Sequence, residues 1–118
     1  MKENFLVEKS FKFAVRIVRL YKFLVEEKKE YILSKQILRS GTSILANIQE
    51  AQDAQSKKDF ISKISISLKE ARETVYWLNL LKETDYILKE QFESINLDIQ
   101  EFIRLLVSSV KTPKKNLR

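Results

Sequence analysis

A single glycine, Gly41, and a single proline, Pro113, punctuate the whole chain, which leaves it nearly without the residues that hairpins and sheet corners require. Leu, Ile, Lys and Glu are abundant, the composition of helices, and the fold class that follows is all-α. At 118 residues the chain fits one domain with a core of its own. Apolar periodicity divides it into four amphipathic segments joined by short polar stretches, the pattern of an antiparallel up-down-up-down four-helix bundle.

The first segment, about Phe5 to Glu27, carries Phe13, Ile17, Leu20 and Leu24 in one stripe and Ala14, Val18, Tyr21 and Val25 in an adjoining one. A core-facing helix needs an apolar arc of about 100° or a little more, so the surplus implies contact beyond the intramolecular core. Glu26 to Glu30 then reads as a charged turn. The second segment, about Leu33 to Gln55, sets Ile37, Gly41, Ile44 and Ile48 on one side, and Gln36, Ser40, Ser43 and Asn47 on another, with Arg39 and Glu50 at its margin. Soluble helices usually present Lys and Glu to water, so this small neutral face implies a second packed surface. Gly41 costs a helix about 1 kcal/mol relative to Ala, a cost that makes sense where a neighbour comes close, though the same glycine could equally mark a break with Thr42 as a new cap; the favoured reading is a helix that runs through it unbroken.

Ser56-Lys57-Lys58-Asp59 reads as an N-cap with an acidic residue three positions on, opening a third helix that ends about Lys82. Phe60, Ile64, Leu68, Ala71, Val75 and Leu78 form its main stripe, while Ile66, Trp77 and Leu80 lie elsewhere, so two faces again want cover. A loop over 83–88 leads to the last helix, where Phe92, Ile95, Ile99, Phe102, Ile103, Leu106 and Val110 repeat at bundle spacing. Pro113 is expected to end it, which makes residues 1–112 the domain and 113–118 a short basic tail.

Several chemistries are excluded by residue type. Without cysteine there is no disulfide or thiolate nucleophile, and without histidine there is neither the Glu-x-x-His pattern of di-metal bundles nor a general-base imidazole. Glu50, Glu70 and Glu73 are more simply partners for Arg39, Lys69 and Arg72 than metal ligands. No phosphate loop is present, no cofactor is expected, and no apolar run of about 18 residues crosses a membrane. A non-enzymatic cytoplasmic protein is the expectation.

The formal charge is +6, with +3 in residues 1–30, 0 in 31–56, +1 in 57–87 and +2 in 88–118. Lys2, Lys9, Lys12, Arg16 and Arg19 fall within one arc of the first helix and, with Lys114 and Lys115 of the tail, form the candidate nucleic-acid surface. The competing reading is a solvated charged face with Glu8, Glu26 and Glu27 nearby. Trp77 beside Tyr76 could stack on bases, but an aromatic next to Ile66 and Leu80 on a second apolar face is the composition of a protein interface. Arg39, Ser40, Ser43, Asn47 and Glu50 could line a ligand groove; the commoner use of such a stripe is close helix approach with interhelical hydrogen bonds.

The run from Gln36 to Ala51, with Arg39-Ser40, Ser43-Ile44 and Asn47-Ile48-x-Glu50, followed by Lys58-Asp59-Phe60 and by Leu68 to Leu78, resembles the four-helix-bundle proteins encoded within intervening sequences of bacterial 23S ribosomal RNA genes. The likeness spans about residues 10–110. It implies an antiparallel bundle assembling as a ring of five, a shape shared with accessory proteins of diversity-generating retroelements, which associate with RNA and a reverse transcriptase through a basic surface. By position, Arg39, Ser40, Ser43, Asn47 and Glu50 match the family's signature helix, and Glu73 and Trp77 match its third helix. None of these is a known catalytic residue there. The chain departs from one common variant, which has a Gly-Ser pair where Lys69 and Glu70 stand. The function that resemblance and charge imply is a homopentamer contacting RNA or DNA; the alternative is a scaffolding oligomer whose partner is another protein, such as a reverse transcriptase.

Overall fold

The structure, a computed structural model, describes residues 2–116 and the side chains of residues 5–111. Four helices follow one another: α1 (Lys2–Glu26), α2 (Leu33–Gln52), α3 (Lys57–Glu83) and α4 (Lys89–Asn116), with no strand among the described residues. They pack side by side into a rod 51 Å long and 21 Å across. Each helix lies against its neighbour in sequence, and α1 also meets α4. Most of the expected core stripes are buried: Ile17, Leu24, Ile37, Ile44, Ile48, Ile64, Leu78, Ile99, Phe102 and Leu106 fully so, whereas Phe60, Leu68, Val75, Ile103 and Val110 are half-buried at the edge of the core, and the buried face of α3 takes in Ser67 and Thr74 instead. Each fully buried apolar side chain stabilises the fold by about 1.5–3 kcal/mol before conformational entropy is subtracted. Phe13 of α1 and Phe102 of α4 close the seam between the first and last helices edge to face, 5.5 Å between ring centres.

Helix α2 runs unbroken through Gly41, at a point where a neighbour occupies the space a side chain would need. A Cβ built there would stand 2.8 Å from Cγ2 and 2.9 Å from Cγ1 of the fully buried Ile17 on α1. The helix ends at Gln52, three residues short of expectation; α3 begins at Lys57 as the sequence indicates, with Ser56 Oγ accepting from the Asp59 N–H at 3.0 Å.

Neither helix C-terminus uses glycine. Lys29 (φ 55°) and Asp85 (φ 69°) take the left-handed positions that close α1 and α3, and the returning N–H groups of Glu30 and Tyr86 reach Leu24 and Leu81 carbonyls at 2.9 Å each. The N-terminus of α2 has no ordinary side-chain cap either; Ile32 stands at that position. Glu30, a residue 7 % exposed, reaches forward with its carboxylate to accept the N–H groups of Ile32, Leu33 and Ser34 at 3.1, 2.8 and 2.7 Å, while Ser34 Oγ donates to the Glu30 carbonyl at 2.9 Å. The segment expected to be a charged turn is thus partly a buried carboxylate cap. At the start of α4, Gln91 Oε1 accepts from the Leu88 N–H at 2.7 Å, half of a capping box.

Pro113 does not end the last helix, which continues to Asn116. A proline removes one N–H from the ladder and costs a helix interior about 3 kcal/mol, a penalty that need not stop a helix already fixed to the core through Phe102 and Leu106.

Candidate functional site

Of the small polar face of α2, Ser40 is covered within the molecule by α3, while Gln36, Ser43 and Asn47 are half-buried. Ser40 and Thr74 are both wholly buried; Thr74 Oγ1 hydrogen-bonds Ser40 Oγ at 2.9 Å and the Glu70 carbonyl at 2.8 Å. Ser67, also wholly buried, donates to the Ile44 carbonyl at 3.0 Å. At the margins, Lys63 Nζ meets Glu50 Oε1 at 2.8 Å, a bond that raises the ammonium pKa. Arg39 Nη1 meets Glu70 Oε1 at 3.3 Å and its Nη2 meets Glu73 Oε2, the same oxygen that accepts from Trp77 Nε1 at 3.0 Å. Among the expected residues, Arg39, Ser40, Glu50, Glu73 and Trp77 therefore lie along one seam. Asn47 bonds back to the Ser43 carbonyl of its own helix at 2.9 Å, so neither of these two bridges to α3 through a side-chain hydrogen bond.

Every buried side-chain nitrogen or oxygen among the described residues has a partner. A ligand groove keeps donors and acceptors in reserve for its guest; this seam uses them to fix its own register. Glu50 takes Lys63 rather than Arg39, Lys69 or Arg72, and among the described residues no three acidic side chains converge as metal ligands.

The basic row of α1 is not left open. Lys9 Nζ meets Glu101 Oε1 at 3.0 Å, and Arg16 reaches Asp98 Oδ2 at 2.8 Å and Ser94 Oγ at 2.9 Å, all on α4. Lys12 and Arg19 stay exposed. Between the two helices runs a groove of about 570 Å³ floored by Leu20, Phe23 and Ile95 and rimmed by Arg16, Arg19 and Glu90. Lys2, Lys114 and Lys115 lie outside the residues whose side chains are described. The acidic row on α4 is the feature that sequence reasoning missed. A tally over 88–118 gives +2, but residues 89–101 alone hold one base and four acids, Glu90, Glu93, Asp98 and Glu101, and 102–118 hold five bases. Counting by half-helix would have found it.

Of the second apolar arc of α1, Ala14 is buried and Tyr21 and Val25 are half-buried, and only Val18 is exposed; the outward surface is shared with Phe11, outside that arc. Phe11 is 59 % and Val18 40 % exposed, and with Ala14, Val15, Arg19 and Lys22 they line a shallow hollow of about 330 Å³. On α3, Tyr76 is 59 % and Ile66 39 % exposed, and the Tyr76 ring meets Trp77 edge-on at 4.9 Å. No described helix is long and apolar enough to cross a membrane.

The family described as 23S rRNA-intervening sequence protein matches the chain over residues 2–108. Among solved structures, the chain is similar to a protein of unknown function from the S23 ribosomal protein family of Bacteroides thetaiotaomicron VPI-5482, with 63% sequence identity, a TM-score of 0.92, and coverage of 94% of this chain and 99% of that one. No curated protein matches. A polar α2–α3 seam built from the signature positions, on a four-helix fold matched along nearly its full length, leaves one assignment: the chain belongs to the 23S rRNA-intervening sequence protein family.

Proposed function

We propose that this protein is a non-enzymatic, self-associating bundle of the cytoplasm, with antiparallel up-down-up-down helices, that assembles as a homopentamer and presents a basic surface to structured RNA or DNA. The antiparallel order is supported by the cross-helix partners of α2 and α3: Ser40 with Thr74, Ile44 with Ser67 and Glu50 with Lys63, one number rising as the other falls. The observation that carries self-association is the outward arc of α1, where Phe11 and Val18 are 59 % and 40 % exposed although the helix already fills the core with its opposite side. The nucleic-acid part rests on the exposed cations Lys12 and Arg19, multiplied around a ring.

The ion pairs that tie Lys9 and Arg16 to α4 favour a second reading, a scaffold whose partner is another protein such as a reverse transcriptase. The test is solution mass by light scattering, with the same sample titrated into a structured RNA at about 50 and about 200 mM salt, a range over which phosphate-dominated binding weakens steeply. A mass near five 14.0 kDa chains with salt-sensitive RNA binding supports the first reading. An oligomer indifferent to RNA supports the scaffold, and a monomer overturns both.

A further inference from the structure

We propose that the outward face of α1 is the docking site for α4 of a second copy of this chain, laid antiparallel with Val15 opposite Leu97; the inference rests on the self-association reading above and names its contact. Val15 is two residues past the core position Phe13, about 200° around the helix, and Leu97 stands in the same relation to the core position Ile95. Each marks the outward centre of its helix. Val15 sits in the hollow between Phe11 and Val18, and Leu97 is 72 % exposed, a large apolar side chain held out from the rod.

The charges around these two positions are complementary at matching intervals. On α1, Arg19 and Lys22 follow Val15 by four and seven residues, and Glu8 precedes it by seven; all three are exposed. On α4, Glu93 and Glu90 precede Leu97 by four and seven, and Arg104 follows it by seven; these too are exposed. Four and seven residues are about 6 and about 10 Å along any α-helix, so the two ladders have the same rungs. Antiparallel docking sets Arg19 against Glu93, Lys22 against Glu90 and Glu8 against Arg104. Parallel docking in the same register would set Lys22 against Arg104 and Glu8 against Glu90, like against like, and would offer Arg19 only Glu101, which Lys9 already holds. Glu93 is otherwise held by an exposed contact with Lys89 at 3.9 Å, which leaves it able to exchange partners.

Because the two faces are unlike, the contact is head-to-tail: every copy offers one α1 and one α4, and repetition closes a ring or extends a filament but does not close a twofold dimer. Lys12 sits toward the edge of this contact, so the docking takes Arg19 and Lys22 into ion pairs and leaves Lys12, of the two exposed α1 cations named above, for a polyanion.

The absence of cysteine makes the test direct. A chain carrying both V15C and L97C, oxidised after purification, is expected to run on a non-reducing gel as a ladder of multiples of 14.0 kDa, whereas V15C alone and L97C alone stay at one chain length. Charge reversal supplies the second arm. R19E/K22E and E90K/E93K are each expected to reduce the light-scattering mass to a single chain with the helical circular dichroism unchanged, and combining all four substitutions is expected to restore the wild-type mass. If the wild type is an oligomer but the double-cysteine chain forms no ladder and the reversals leave the mass unchanged, this contact is wrong while self-association stands. Cross-linking by V15C alone would mean α1 docks on α1 and would overturn the α4 assignment. A closed dimer would do the same, and a wild-type monomer would remove the reading on which the inference rests. If instead V15C/L97C gives no ladder and a structured RNA protects the thiol of the V15C variant from alkylation, the face is a polyanion site and the proposal fails.

Discussion

At the scale of single residues, Glu30 and Gly41 do work that their types would not announce. Burial raises the Glu30 pKa, but the N–H groups of Leu33, Ser34 and Ile32 and the Ser34 hydroxyl favour the charged form and bring the net value below the ordinary glutamate range. Since the folded pKa lies below the unfolded one, the cap stabilises the protein above the ordinary glutamate pKa and is lost as pH falls through the depressed folded value. Glu30→Gln is therefore expected to lower stability at neutral pH by about 0.5–2 kcal/mol, the range of an N-cap, and to flatten the acid limb of a stability-versus-pH curve measured by urea unfolding. A variant whose acid limb matches the wild type would show that Glu30 does not govern it. Gly41→Leu is expected to cost about 1–3 kcal/mol or more through overpacking, because β-branched Ile17 has no free rotamer to yield; an unchanged midpoint in thermal unfolding would refute the close approach. Lys29 holds a left-handed backbone that costs an L-residue about 1–2 kcal/mol, so Lys29→Gly is expected to raise the unfolding midpoint rather than lower it.

At the scale of elements, the α2–α3 seam separates buried hydrogen bonds from exposed ion pairs, and the two should behave differently. Thr74→Val removes the partner of the buried Ser40 hydroxyl and is expected to cost about 1–3 kcal/mol, while Ser40→Ala in the same chain should recover part of that loss, a coupling that a double-mutant cycle in denaturant reads directly. Additive costs would mean the two hydroxyls do not depend on each other. Arg39 side-chain atoms are 49 % exposed, so Arg39→Ala is expected to change stability by less than about 1 kcal/mol despite its two carboxylate partners. The outer arc of α1 and the acidic first half of α4 are the other element-scale pair, and their complementarity belongs to the contact proposed above.

At the scale of the whole molecule, the rod has one weakly closed side, where α1 and α4 meet through Phe13, Phe102 and two ion pairs and leave a groove between them. Those ion pairs are partly exposed, so the seam should loosen before the rest of the core. Hydrogen exchange is expected to show α1 amides losing protection ahead of those of α2 and α3, and assembly through α1 should slow that exchange as concentration rises. Uniform protection across the four helices would argue against a weak seam.

Helix number, order, approximate bounds and core were legible because each rests on periodicity: an apolar stripe such as Phe13, Ile17, Leu20 and Leu24 must be buried whichever neighbour buries it. The Ser56 cap was legible because Ser and Asp three residues apart interact locally. What only tertiary structure decided depends on which surfaces meet. The sequence marks Ser40 as wanting cover but not that α3 supplies it, and it marks Lys9 and Arg16 as basic but not that Glu101 and Asp98, far along the chain, stand beside them. Periodicity states which side of a helix turns away from water; the partner across that side is set by how four such helices fill one rod, and a charge row becomes a binding surface or an internal clamp accordingly.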